Sequence, residues 1–124
     1  MKKKANSFRT WMIWQLRRLS YRWPPRQAAL RGAQRVVTAA LKKEYPRCRN
    51  FYQCAVCGEV FSRKEVSVDH IDPVIDPKRG WQGFEVYIKR LFCGAQGFQI
   101  ICSDCHDAKT AHERKIRMKY KKAA

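Results

Sequence analysis

The most specific chemistry in the chain lies in two Cys-x-x-Cys pairs, Cys54 with Cys57 and Cys102 with Cys105. Each pair offers two thiolates from one tight turn, and two turns complete the closed tetrahedral set of a structural zinc site. Such a site needs nothing more, yet Asp69-His70 lies between the pairs and His106 directly follows Cys105. An imidazole titrates near working pH and can take a proton from water, while a carboxylate is a hard oxygen donor suited to Mg²⁺ or Mn²⁺. Hydrolysis of a phosphodiester asks for both: a base for the attacking water and a ligand for a Lewis-acid ion. Asp107 competes with His106 as a ligand, being the harder donor in the same turn. His112 falls off the helical i+4 position, which Thr110 occupies, and reads as an exposed residue.

These residues need elements to hold them. Residues 51–61 read as a hairpin whose turn is the first cysteine knuckle, with Gly58 just after it. Residues 65–71 read as a strand, 81–91 as a helix, 97–101 as a second strand and 105–118 as a helix. Adjacent strand residues point to opposite faces, so Asp69 and His70 share one site only if the strand bends or ends there. Pro73 favours an ending.

The set resembles the HNH endonuclease family. The resemblance rests on Asp69-His70-Ile71 behind a first knuckle, then Phe98-Gln99-Ile100-Ile101-Cys102, Cys105-His106 and Lys109-Thr110. It covers about half the chain, from Cys54 to Glu113, and is nearest to the zinc-stapled form common in bacteriophages. It implies an α+β fold with a small zinc-stapled ββα-metal core, and a metal-dependent endonuclease that nicks or cleaves DNA. Its implied roles are His70 as general base, Asp69 and His106 on a single catalytic Mg²⁺ or Mn²⁺, and Cys54, Cys57, Cys102 and Cys105 on structural zinc. His106 would stand first in its helix, held in place by Cys105 on the zinc. One position departs: Gly97 stands where the family usually has Asn, whose amide braces the loop carrying the base. Gln96, Gln99 or backbone geometry would have to replace it.

Charge points to the partner. There are 27 Lys and Arg against 10 Asp and Glu, a formal +17; four thiolates and one Zn²⁺ lower it by two, to +15. A compact domain with that surplus repels itself unless a polyanion neutralises it, and DNA phosphates fit that need. No apolar run is long enough for a membrane span, and residues 11–14 are too short for a leader's apolar core. A reducing, cytoplasmic setting with metal-bound thiolates is therefore expected, the host cytoplasm if the protein is phage-encoded.

At 124 residues the chain has room for one small domain and an extension. We divide it into a basic helical arm (1–47), a zinc-stapled nuclease domain (48–116) and a basic tail (117–124), with residues 1–5 disordered. Phe8, Trp11, Met12, Leu16 and Leu19 recur at helical spacing; Pro24-Pro25 ends that helix, and a second spans 25–43. Arg9, Arg17, Arg18 and Arg22, with Lys109 nearer the site, are the expected phosphate contacts. Trp11, Trp14, Tyr21 and Trp23 are expected to pack between helices or onto the zinc module; stacking on bases is the functional alternative. Cys48 and Cys93, outside the knuckles, read as semi-buried packing residues. The rival reading from another class is a non-catalytic zinc-ribbon protein that binds RNA or ribosomes. A binding ribbon has no use for a base and a hard-metal ligand converging, and that discriminates the two.

Overall fold

The computed structural model describes residues 7–123, so the expected disorder of residues 1–5 lies outside the described residues. The fold is mixed α+β. Helix α1 (Phe8–Ser20) starts at Ser7, whose hydroxyl accepts the Thr10 N–H at 3.1 Å. Pro24-Pro25 opens α2 (Pro24–Gly32), where the missing N–H groups cost nothing.

The single helix expected over 25–43 is broken. After Gly32 the chain turns extended as β1 (Gln34–Arg35), which pairs antiparallel with β2 (Phe51–Gln53), Gln34 opposite Tyr52. The Arg35 guanidinium then donates to Gln53 Oε1 at 2.9 Å and back to Gly32 O at 3.1 Å. Thr38 caps a separate short helix, α3 (Ala39–Glu44). Strand pairing outweighs the modest helix propensity of a stretch that contains Gly32 and two adjacent valines.

β2 and β3 (Val60–Ser62) form the expected hairpin around the first knuckle, and Gly58 takes the left-handed conformation, φ +79°, that its turn requires. A 3₁₀ turn boxed by Ser62 and Glu65 leads into β4 (Val66–His70). A long connection follows, containing α4 (Phe84–Leu91), which starts three residues inside the expected helix because Gly83, at φ +101°, cannot continue one. β5 (Phe98–Cys102) then pairs antiparallel with β4, Val66 opposite Cys102 and His70 opposite Phe98. The last helix, α5 (Ser103–Ala123), begins two residues earlier than expected and absorbs most of the basic tail. His106 is consequently the fourth residue of its helix and not the first.

Both faces of β5 are covered. Ile100 packs with Leu30 of α2, Tyr52 and Val66, while Ile101 packs with Cys54, Cys102 and Phe61 beneath the knuckles. Each fully buried aliphatic side chain contributes about 1.5–3 kcal/mol. The second helix of the basic arm is thus built into the same core as the knuckles, and β1, itself exposed, joins it through the sheet. Trp23 joins them, its indole N–H donating to Cys93 O at 2.6 Å and its ring meeting Phe92 edge-on. α1 stands further out: it meets the rest of the chain through contacts such as Phe8 against Phe84.

Candidate metal centre and catalytic cleft

The knuckles converge. The Sγ atoms of Cys54, Cys57, Cys102 and Cys105 lie within 4.8 Å of one another, with Cys57 and Cys102 4.0 Å apart. Four sulfurs about 2.3 Å from a tetrahedral ion sit roughly 3.8 Å from each other, so this cluster can hold a metal such as zinc. The donor chemistry agrees. Burial opposes a charge on Cys54, but the N–H groups of Cys57, Cys102 and Val56 point at its sulfur and bring the thiol down to about 6. Its neighbours bear the consequence: the Cys105 thiol, hydrogen-bonded to Cys102 and partly desolvated, is pushed up to about 12. Four thiolates at this spacing repel one another, and a dication is the counter-charge that lets all four ionise. Cys48 and Cys93 are both partly buried and outside the cluster, as expected.

The second feature is a cleft of about 490 Å³ along β4, which pairs with β5 alone among the described residues. Asp69, His70 and His106 all line it, as do Arg17, Arg26 and Arg63. Neighbouring strand residues reach one cleft here because it follows the strand's edge and because β4 ends at His70.

His70 is half-buried, with its ring 4.7 Å from that of Phe98. Its Nε2 lies 2.9 Å from the carbonyl oxygen of Leu91. A carbonyl can only accept, so Nε2 carries the hydrogen and Nδ1 keeps its lone pair. Burial lowers the imidazole pKa; the Leu91 carbonyl opposes that, and the positive Arg26 and Arg17 add to it. The ring is therefore neutral, in the tautomer a base requires.

Asp69 divides its two oxygens. Oδ2 accepts from Gln99 Nε2 at 3.0 Å and faces Lys109 Nζ at 3.2 Å, while Oδ1 lies 3.9 Å from His106 Nε2. One oxygen is anchored and the other turned toward the half-exposed imidazole of His106. Lys109 also donates to His70 O at 3.1 Å and to Glu113 at 2.6 Å. Burial disfavours its charge, but Glu113 and Asp69 outweigh that and raise its pKa. An ammonium has three hydrogens, and these three acceptors take them all. Lys109 is a strap between α5 and the end of β4 and has no hydrogen left for a phosphate.

Among the remaining expected residues, Asp107 is exposed on α5, and it is His106 that approaches Asp69. His112 is exposed. Of the four expected arginines only Arg17 lines the cleft. Arg9 lies over the Trp81 ring at 5.0 Å, Arg18 lines a separate groove on α1, and Arg22 is exposed just past that helix. Sequence reasoning missed Arg26, which sits between Tyr21 and Phe98, along with Arg63 and Glu113. Only Glu113 left a signal, at i+4 from Lys109 on an expected helix.

Gly97 has its own logic. A Cβ there would meet Cys93 Sγ at 2.6 Å, so a side chain fits only if Cys93 shifts. Its backbone does the bracing instead: Gly97 O accepts from Ile71 N at 2.9 Å, directly beyond His70. Gln99 holds Asp69 from the next strand. Compared with family models, characterised proteins and solved structures, the chain matches none.

Proposed function

We propose that the protein is a metal-dependent endonuclease of the HNH type that hydrolyses DNA phosphodiester bonds, with β4, β5 and α5 as its ββα-metal core and zinc on the four cysteines as its staple. The observation that carries this reading is the cleft: a neutral imidazole with a free Nδ1 beside a carboxylate–histidine pair, walled by three arginines. A divalent ion on Asp69 and His106 would polarise the phosphate and relieve charge on the departing O3′. His70 Nδ1 takes a proton from water as the water oxygen bonds to phosphorus and the P–O3′ bond breaks; solvent protonates the O3′. Leu91 O stabilises the imidazolium that results, through its bond from Nε2. Arg17, Arg26 and Arg63 hold the strand by its phosphates, which positions without reading sequence. Gln99 and Lys109 fix the Asp69 carboxylate so that Oδ1 stays toward His106.

Supercoiled plasmid with Mg²⁺ or Mn²⁺ tests the reading. Wild type should nick or linearise it, and His70→Ala should lose about 10²- to 10⁴-fold in rate, the usual contribution of a general base, with zinc content unchanged. Equal rates in the two proteins, or no cleavage by wild type, would leave the zinc-ribbon nucleic-acid binder in its place.

A further inference from the structure

The nuclease reading does not use the outer side of α1. There Trp11, Trp14 and Tyr21 are 55%, 69% and 59% exposed, and with Arg17 and Arg18 they line a groove of about 500 Å³. Positions 11, 14, 18 and 21 follow one ridge of the helix. Exposed rings this large add nothing to the core, and a contiguous patch of them marks a binding surface. The surrounding charge sets the ligand's sign, because the first 43 residues hold twelve Lys and Arg and no Asp or Glu. An anion with flat faces is required. Duplex DNA hides its base faces in its own stack, whereas an unpaired strand offers them to aromatic rings while its phosphates meet arginines. Position agrees as well, since Arg17 and Tyr21 line both this groove and the cleft of Asp69, His70 and His106. A second copy of the chain is a poor occupant, because two surfaces this basic repel.

We infer that α1 binds an unpaired DNA strand that continues from the cleft, so that the preferred substrate is a duplex with a single-stranded flank. The binding claim stands on α1 alone; only the location of the cut, close to the junction, rests on the nuclease reading. The test uses the full chain with zinc bound and His70→Ala to prevent cleavage. Its probes are one blunt duplex and the same duplex with an oligo-dT tail. The tail should quench tryptophan fluorescence and tighten binding roughly tenfold or more, the usual worth of one or two base stacks. Adding Trp11→Ala and Trp14→Ala should bring the ratio of tailed to blunt affinity near one without moving the melting temperature. Phe at both positions should keep most of the ratio.

A wild-type ratio of one, or a ratio that survives the double alanine change, would overturn the inference. So would a larger gain from an oligo-U tail, which would make the ligand RNA, or a dimer in sedimentation that the alanines dissociate. A normal tail preference in a chain that never cuts plasmid would support this inference and sink the nuclease reading.

Discussion

Apolar side chains meet opposite fates in β5 and in α1. β5 buries Phe98, Ile100, Ile101 and Cys102, whereas α1 leaves Phe8, Trp11, Trp14 and Leu19 mostly in solvent and fully buries only Ser20. Both stretches carry the expected periodicity. What differs is the number of surfaces they meet, since β5 lies between α2 and the knuckles and α1 has the body of the protein on one side only. Periodicity chooses the element, and a partner on the other side decides whether it becomes core.

The thiols should separate the two regions most sharply. If the cluster holds structural zinc, its removal should undo the β5 side of the molecule. Apparent binding energies of about 10–16 kcal/mol for such sites rival the ~5–15 kcal/mol stability of a whole domain. Cys54→Ser, or a strong chelator, should abolish cooperative thermal unfolding and make residues 48–116 protease-sensitive. A metal-free chain that melts at the temperature of the zinc-loaded one would show that burial alone holds β5.

The cleft between the two regions comes next, with chemistry as the readout. Asp69→Ala and His106→Ala should match the loss in His70→Ala, but raised Mn²⁺ should recover part of their rate and none of His70's. The wild-type rate should rise with pH and level off, because a base works only when deprotonated. Burial, together with Arg26 and Arg17, lowers the His70 pKa, so the plateau should begin at lower pH than for an ordinary imidazole. Arg26→Gln should move that onset upward. An onset that stays in place would mean another group titrates.

A smaller effect is expected at Gly97, which lies against Cys93. Gly97→Ala should cost about 1–3 kcal/mol as an overpacking change. Gly97→Asn, with the larger side chain, should cost at least as much and lower cleavage. Combining Gly97→Ala with Cys93→Ala should recover most of the stability, measured by chemical denaturation as a double-mutant cycle. Full additivity would mean the 2.6 Å contact is not what excludes a side chain.

The legible parts of the sequence were those in which a short pattern dictates its own geometry. The Cys-x-x-Cys turns, the hairpin around Gly58 and the strand that gives out at His70 were all readable. The break in the helix expected over 25–43 was not, because it depends on Gln34 and Arg35 finding Tyr52 and Phe51, a pairing no local propensity encodes. Arg26 and Arg63 were missed for the same reason: each reaches the cleft through tertiary packing, while Arg9, on the more conspicuous helix, stacks on Trp81. Lys109 was expected at a phosphate, and in the fold its acceptors are the His70 carbonyl, Asp69 and Glu113. The glycine at 97 answers to Cys93 beside it, a contact that no local pattern encodes.

The finest cut lies within α1, whose two ends differ although their arginines look alike in sequence. Arg17 lines the cleft, and Arg9 sits over Trp81. Each phosphate neutralised adds nearly one unit to the slope of log affinity against log salt. Arg17→Ala should therefore lower the slope for blunt duplex by about one and weaken binding to all sequences alike. Arg9→Ala should leave the slope unchanged, because Arg9 lies over Trp81 and does not line the cleft. The stability change in either case should stay within about 0.5 kcal/mol, as for most surface substitutions, so binding can be compared at equal folding. Equal slopes for the two variants would mean that duplex lies along the whole of α1, and the division between a phosphate-gripping end at the cleft and a packed end at Trp81 would not hold.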